Sequence, residues 1–152
     1  MAKRLKIDSG DVFAFPAGEK FAAGQVLISN ISLYIVIFEP LFAIEDIANI
    51  NPNSTNILLA GWTDDALIYH GDWIIMGNKP VVQPFDFPVF KMNHNGILWL
   101  VDVNGKPIRH ASRGEAESHE FQWSRSSKGF QDAFVNHHLG VRKPTHTRLF
   151  VA

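Results

Sequence analysis

The residues able to do chemistry here are carboxylates and histidines, for the chain holds fifteen Asp and Glu, seven His and no Cys. The densest stretch is Gly61 to Val82, GWTDDALIYHGDWIIMGNKPVV, where Asp64, Asp65 and Asp72 accompany Trp62 and Trp73. Asp64-Asp65 has the makings of half an acid/base or divalent-metal pair. Adjacency alone does not supply the geometry that such work needs. The competing reading is an exposed turn or a helix cap after Thr63. His137 and His138 are adjacent, with His94, His110, His119 and His146 elsewhere. Two metal ligands on one helical face stand three or four positions apart, whereas neighbours on a helix point about 100° apart. His137 continues an apolar stripe and reads as a packing residue. Without cysteine there is no thiolate nucleophile and no thiolate zinc site. No G-x-S-x-G elbow and no glycine-rich phosphate loop is present. The residues therefore name no catalytic set, no metal and no cofactor.

Charge is close to balanced but unevenly placed. From Glu39 to Phe90 the acids are Glu39, Glu45, Asp46, Asp64, Asp65, Asp72 and Asp86, against Lys79 alone. From Lys91 onward bases outnumber acids. An acidic middle can steer a basic partner, although acids also fill solvated loops. Arg125, Lys128, Arg142, Lys143 and Arg148 form only a loose basic set, which argues against a coherent nucleic-acid face.

The elements that must position these groups read mostly as strands. Almost half the residues are apolar and 19% are charged, as in a globular chain, and the length suits a single domain. Val12 to Phe15 and Phe21 to Ile28 read as two strands around Pro16-Ala17-Gly18. Ile31 to Phe38, rich in β-branched and aromatic residues, predicts a strand buried on both faces. Leu41, Ile44, Ile47 and Ala48 recur at helical spacing after Pro40. Asn51 to Ser54 reads as a loop, and Ile57 to Trp62 as a strand. Gly71-Asp72 predicts a two-residue hairpin between strands Leu67 to His70 and Trp73 to Met76. Trp62 and Trp73 lie in strand-like runs, which favours core packing. Asn95-Gly96 and Asn104-Gly105 predict type I′ turns bracketing Ile97 to Val103, with strands at Val89 to Met92 and Pro107 to His110. Ser112 and Glu115 have capping-box spacing. Phe130, Ala133, Phe134 and His137 predict a helix near Lys128 to Leu139 that stops at Gly140. Arg148 to Val151 predicts an edge strand. The fold class expected is α+β, mostly β: a strongly twisted antiparallel sheet or a partly closed SH3-like barrel, with C-terminal helices.

Two groups of motifs add a family resemblance. Gly10-Asp11-Val12-Phe13-Ala14-Phe15-Pro16 precedes Phe21-Ala22-Ala23-Gly24-Gln25-Val26-Leu27, matching a G-D-[IV]-F-x-[IF]-P run followed by an x-G-[QR]-V-L strand. Gly61-Trp62-Thr63-Asp64-Asp65, Gly71-Asp72-Trp73 and Ile75-Met76-Gly77-Asn78-Lys79-Pro80-Val81 follow a G-x-W and I-[IV]-G-N-x-P pattern, from which Met76 departs. In these stretches the chain resembles the immunity protein 26 family of bacterial polymorphic-toxin systems. The resemblance covers roughly the first two thirds; a family-like core at about 10–103 would be followed by a helical extension at about 112–152. It implies a non-enzymatic, mostly β protein that protects its own cell by binding and masking a cognate toxin. The motif residues transfer no catalytic role.

The expected partner is thus a protein toxin. If that toxin is a nuclease, its basic groove would be met by acids, with Asp64, Asp65, Asp72, Glu45 and Asp46 as candidate contacts. Two other readings stand beside it. One is a small-ligand or metal-dependent enzyme with an Asp/His pocket. The other is a small-barrel nucleic-acid-binding protein. No apolar run is long enough to span a bilayer, the N-terminus lacks a signal-peptide h-region, and cysteine is absent, so a cytoplasmic protein is expected.

Overall fold

The computed structural model describes residues 6–151. Its fold is α+β and mostly β, with two antiparallel sheets. The described residues fall into two compact units, 6–83 with 124–151, and 84–123.

The first unit holds a five-stranded sheet in the order β4-β3-β2-β1-β5. Its strands are β1 (Asp11–Ala17), β2 (Lys20–Ser29), β3 (Leu33–Phe38), β4 (Ile57–Thr63) and β5 (Ile74–Asn78). β1 to β4 form a meander, and β5 crosses back to pair with β1. With β4 and β5 at opposite edges the sheet is open, and no barrel closes. Pro16 does not end β1, which runs to Ala17 and turns at Gly18.

All six residues of β3 are buried, as expected of a strand covered on both faces. Ile31 is not part of it. It sits fully exposed in a turn where the Asn30 N–H donates to the Ser32 carbonyl.

Register assigns the two faces, because successive side chains alternate. Phe13, Gly24, Ile37 and Leu59 lie on one rung of one face, with Phe15 and Ala22 beside them. Trp73 covers this face. Its ring stacks on Phe13 at 4.7 Å and on Phe15 at 5.1 Å. Helix α4 (Ser127–His138) completes the cover, with Phe134 edge-on to Phe15 at 5.7 Å. Gly24 is required here. A Cβ would stand 2.3 Å from Phe13 Cζ and 2.5 Å from the Val36 carbonyl oxygen, so no side chain fits beneath that ring.

The opposite face carries Val12, Gln25, Val36 and Ala60, with Tyr34 packed edge-on against Trp62 at 5.3 Å. Burial pushes the Tyr34 hydroxyl up to about 12. Helix α1 (Ile44–Ile47) buries Ile47 and follows the Phe42–Phe21 bridge. A single 3-10 turn, Pro52–Ser54, occupies the expected loop.

The Gly71-Asp72 hairpin does not form. Residues Ala66–Tyr69 make helix α2, and Gly71, at φ 83°, lies just past its end. Both structures want a glycine at positive φ, and the run Leu67 to His70 is too short for periodicity to separate them.

The second unit is a three-stranded sheet, β6 (Phe90–His94), β7 (Ile97–Val101) and β8 (Pro107–His110). Asn95 and Gly96 have φ 53° and 82°, the type I′ geometry expected. Asn104-Gly105 differs, since only Gly105 has positive φ. There Asp102 holds the loop, its carboxylate accepting from the N–H groups of Asn104 and Lys106 at 2.9 Å each. Helix α3 (Arg113–Ser118) opens with the expected capping box of Ser112 and Glu115. The Ser112 N–H hydrogen bond, with help from the Ser112 hydroxyl and Arg109, keeps the Glu115 carboxyl below its usual range.

The C-terminus forms a 3-10 helix, Pro144–Leu149, in place of the expected strand. Only Phe150 bridges to β4, at Leu59. Among the described residues no helix is long and apolar enough to cross a membrane.

Candidate functional site

The five candidate acids stand in two places. Asp64, Asp65 and Asp72 flank α2 at the corner where the chain leaves β4 and travels to β5. Glu45 and Asp46 lie in the first turn of α1, which follows the opposite end of the β3–β4 pair. β4 is seven residues long, which at about 3.3 Å per residue separates its ends by about 20 Å.

The corner is tightly built. Asp64 Oδ1 accepts from the Ala66 N–H at 3.0 Å and from the Ser127 hydroxyl at 2.7 Å. Ser127, buried in the first turn of α4, also accepts from the Leu67 N–H at 3.4 Å. The Leu67 carbonyl accepts from the Trp73 N–H at 2.9 Å, and the Trp73 indole donates to Gln131 at 3.0 Å. Asp64, α2, Trp73 and α4 are thereby joined through Ser127 and Gln131, which are one helical turn apart. Sequence reasoning found Asp64 and Trp73 but not Ser127 or Gln131. Sixty residues separate Ser127 from Leu67, and no local pattern announces that pairing.

Against this fixed base, Tyr69 is 57% exposed, with its ring edge-on to His70 at 5.3 Å. Asp64 and Asp72 are exposed and Asp65 half-buried around it. The nearby cation on α4, Lys128, is engaged by Asp132 at 2.6 Å. The surface is an aromatic side chain among acids on a backbone that the core holds in place. Such a surface can dock a basic partner with little ordering cost.

The other motif residues meet elsewhere, around Gln25. This side chain is fully buried. Its amide nitrogen donates to the carbonyls of Gly10 (3.3 Å), Lys79 (3.1 Å) and Pro80 (3.1 Å), two hydrogens shared among three acceptors. Its amide oxygen accepts from the Val82 N–H at 3.1 Å. Asn78 donates to Asp11 at 2.9 Å and to the Ser9 carbonyl at 3.0 Å. Gly10, at φ 94°, lies so close to Lys79 that a Cβ would stand 2.5 Å from its carbonyl oxygen. The Gly10-Asp11, Gly24-Gln25 and Asn78-Lys79-Pro80 motifs are thus one hydrogen-bonded knot that ties residues 79–82 across the sheet.

His70, at the end of α2, shares the corner with the acids, but the other histidines lie elsewhere. His94 and His110 lie in β6 and β8, His119 ends α3, and His137 and His138 end α4. His137 packs against Phe150 at 5.6 Å, and His138 Nε2 lies 2.9 Å from the Glu39 carbonyl oxygen. Among the described residues no three His, Asp or Glu side chains form a group able to hold a metal ion.

No family model, curated protein or solved structure matches this chain.

Proposed function

We propose that this chain is a binding protein of the immunity type, which masks a basic surface on a protein toxin and carries out no chemistry. The observation that carries the proposal is the α2 corner, where Asp64, Asp65 and Asp72 flank the short helix that bears the exposed Tyr69, on a base fixed by Ser127 and Gln131. Aromatic anchors ringed by charge complementary to the partner are what fast, tight protein association uses. The order and spacing of the motifs resembling immunity protein 26 support the same reading. Glu45 and Asp46, near the opposite end of β4 from Asp64, would belong to the rim of such an interface or lie outside it.

The test is protection of growing cells against any toxin domain found encoded beside this gene, together with binding kinetics on the purified pair. Reversing Asp65 and Asp72 to lysine should slow association on the order of tenfold at low salt and weaken protection. Tyr69→Ala should chiefly raise dissociation, by about 1 kcal/mol or more. Full protection by the combined variant would remove the α2 corner from the interface. Failure of the wild-type chain to protect would remove the immunity reading itself.

A further inference from the structure

We propose that residues 141–151 are a pH-released strap over the outer edge of β4. The strap touches that edge through few bonds. Phe150 bridges Leu59, and the Val151 N–H donates to the Leu58 carbonyl at 2.9 Å. Leu149 is fully buried beneath it, and the Arg125 guanidinium donates to the Thr145 carbonyl. The Arg142 guanidinium lies 3.6 Å over the Phe150 ring. The other end of β4 is covered separately, by Ser124 and Arg125, whose N–H donates to the Trp62 carbonyl at 3.0 Å.

Within the strap, His146 is buried, and its Nδ1 has no hydrogen-bond partner among the described residues. The charges around it are Arg125, Lys143 and, from α4, Asp132, whose carboxylate is already engaged by Lys128. β4 itself has no charged residue. A second imidazole faces the strap from α4. His137 lies against Phe150, with His138, Arg142 and Glu39 as its charged neighbours. A proton on the buried His146 or the half-buried His137 adds positive charge to an already cationic setting.

Burial first, then Arg125 and Lys143, holds His146 below its ordinary value of 6.5 in the closed strap. Burial, then His138 and Arg142, does the same for His137. In the open strap both rings return towards 6.5. As pH falls through that value the open form binds more protons, so closure is favoured above it and progressively lost below it. Opening would leave the Leu58–Leu59 edge of β4 unpaired and available to another strand.

Amide hydrogen exchange across pH, corrected for intrinsic rates, tests this. Protection of the Val151 amide should fall on the order of tenfold between about pH 7.5 and about pH 5, while the Arg125 amide and the interior amides of β3 keep theirs. His146→Phe, which fills the site without a titrating group, should flatten most of that dependence, leaving the share due to His137. The midpoint of opening in the wild-type chain should coincide with titration of the His146 ring followed by NMR. That comparison decides the matter even if His146→Phe does not fold. Unchanged Val151 protection, or an opening midpoint unrelated to the imidazoles, would overturn the proposal.

Discussion

Trp73→Ala is expected to cost about 3–5 kcal/mol of unfolding free energy, the usual loss for a fully buried tryptophan. Trp73 is 1% exposed and stacks on both Phe13 and Phe15. Truncation would remove the cover over the Gly24 rung and leave a cavity that the rigid sheet cannot close. It would also strip Gln131 of its partner. Against the 5–15 kcal/mol typical of a domain, that loss is large. Trp73→Phe keeps an aromatic ring and loses the indole N–H, so about 1–2 kcal/mol is expected. Urea unfolding of the three proteins measures both differences. A loss below about 1 kcal/mol for the alanine variant would show that the α4 face is held by other contacts.

Gln25→Leu is the second large effect. Leucine fits the volume but pairs with nothing. The Val82 N–H and the carbonyls of Lys79 and Pro80 would each lose the partner that Gln25 provides. At about 1–3 kcal/mol for a buried polar group left unsatisfied, a total of about 3 kcal/mol or more is expected, discounted where residues 79–82 lift into water. Gln25→Glu separates polar satisfaction from packing. Ionised, its carboxylate faces three carbonyl oxygens in a buried site, so its folded pKa should lie above the unfolded value of about 4.3. Stability should then be retained below that value and lost as pH rises through the folded pKa. Denaturant midpoints at pH 4 and pH 7 measure this. A stability gap between wild type and the glutamate variant that is no wider at pH 7 than at pH 4 would contradict the buried geometry.

Much of the fold was legible because local chemistry and tertiary context agree. The β1–β2 hairpin, the buried run Leu33–Phe38, the Ser112–Glu115 capping box and the Ser127–His138 helix with its Gly140 stop all carry their own signals. The core placement of Trp62 was readable from the strand around it, whereas Trp73 is buried as expected but from the bend before β5 and not from within a strand. Three things were not. A glycine at positive φ ends α2 as readily as it makes a hairpin, so Gly71 misdirected the reading. Gln25 looks like a solvated strand position until residues 79–82 are laid across it. The grouping of acids depends on which end of β4 each lies near, and proximity in sequence placed Asp46 and Asp64 in one region although a whole strand separates them. The hydrogen bond between Asp64 and Ser127 belongs to the same class, being a contact between distant segments.

The order in which the aromatic face is covered bears on synthesis. β1 to β4 leave the ribosome before Trp73 and α4, and each strand can zip onto its predecessor. The ring that shields Phe13 and Phe15 follows at Trp73, and Phe130 and Phe134 come only with α4. A nascent chain that has finished its meander therefore gains the Trp73 ring early, while the part of the face that α4 covers stays bare until that helix emerges. Chaperone attention during that interval follows from the architecture.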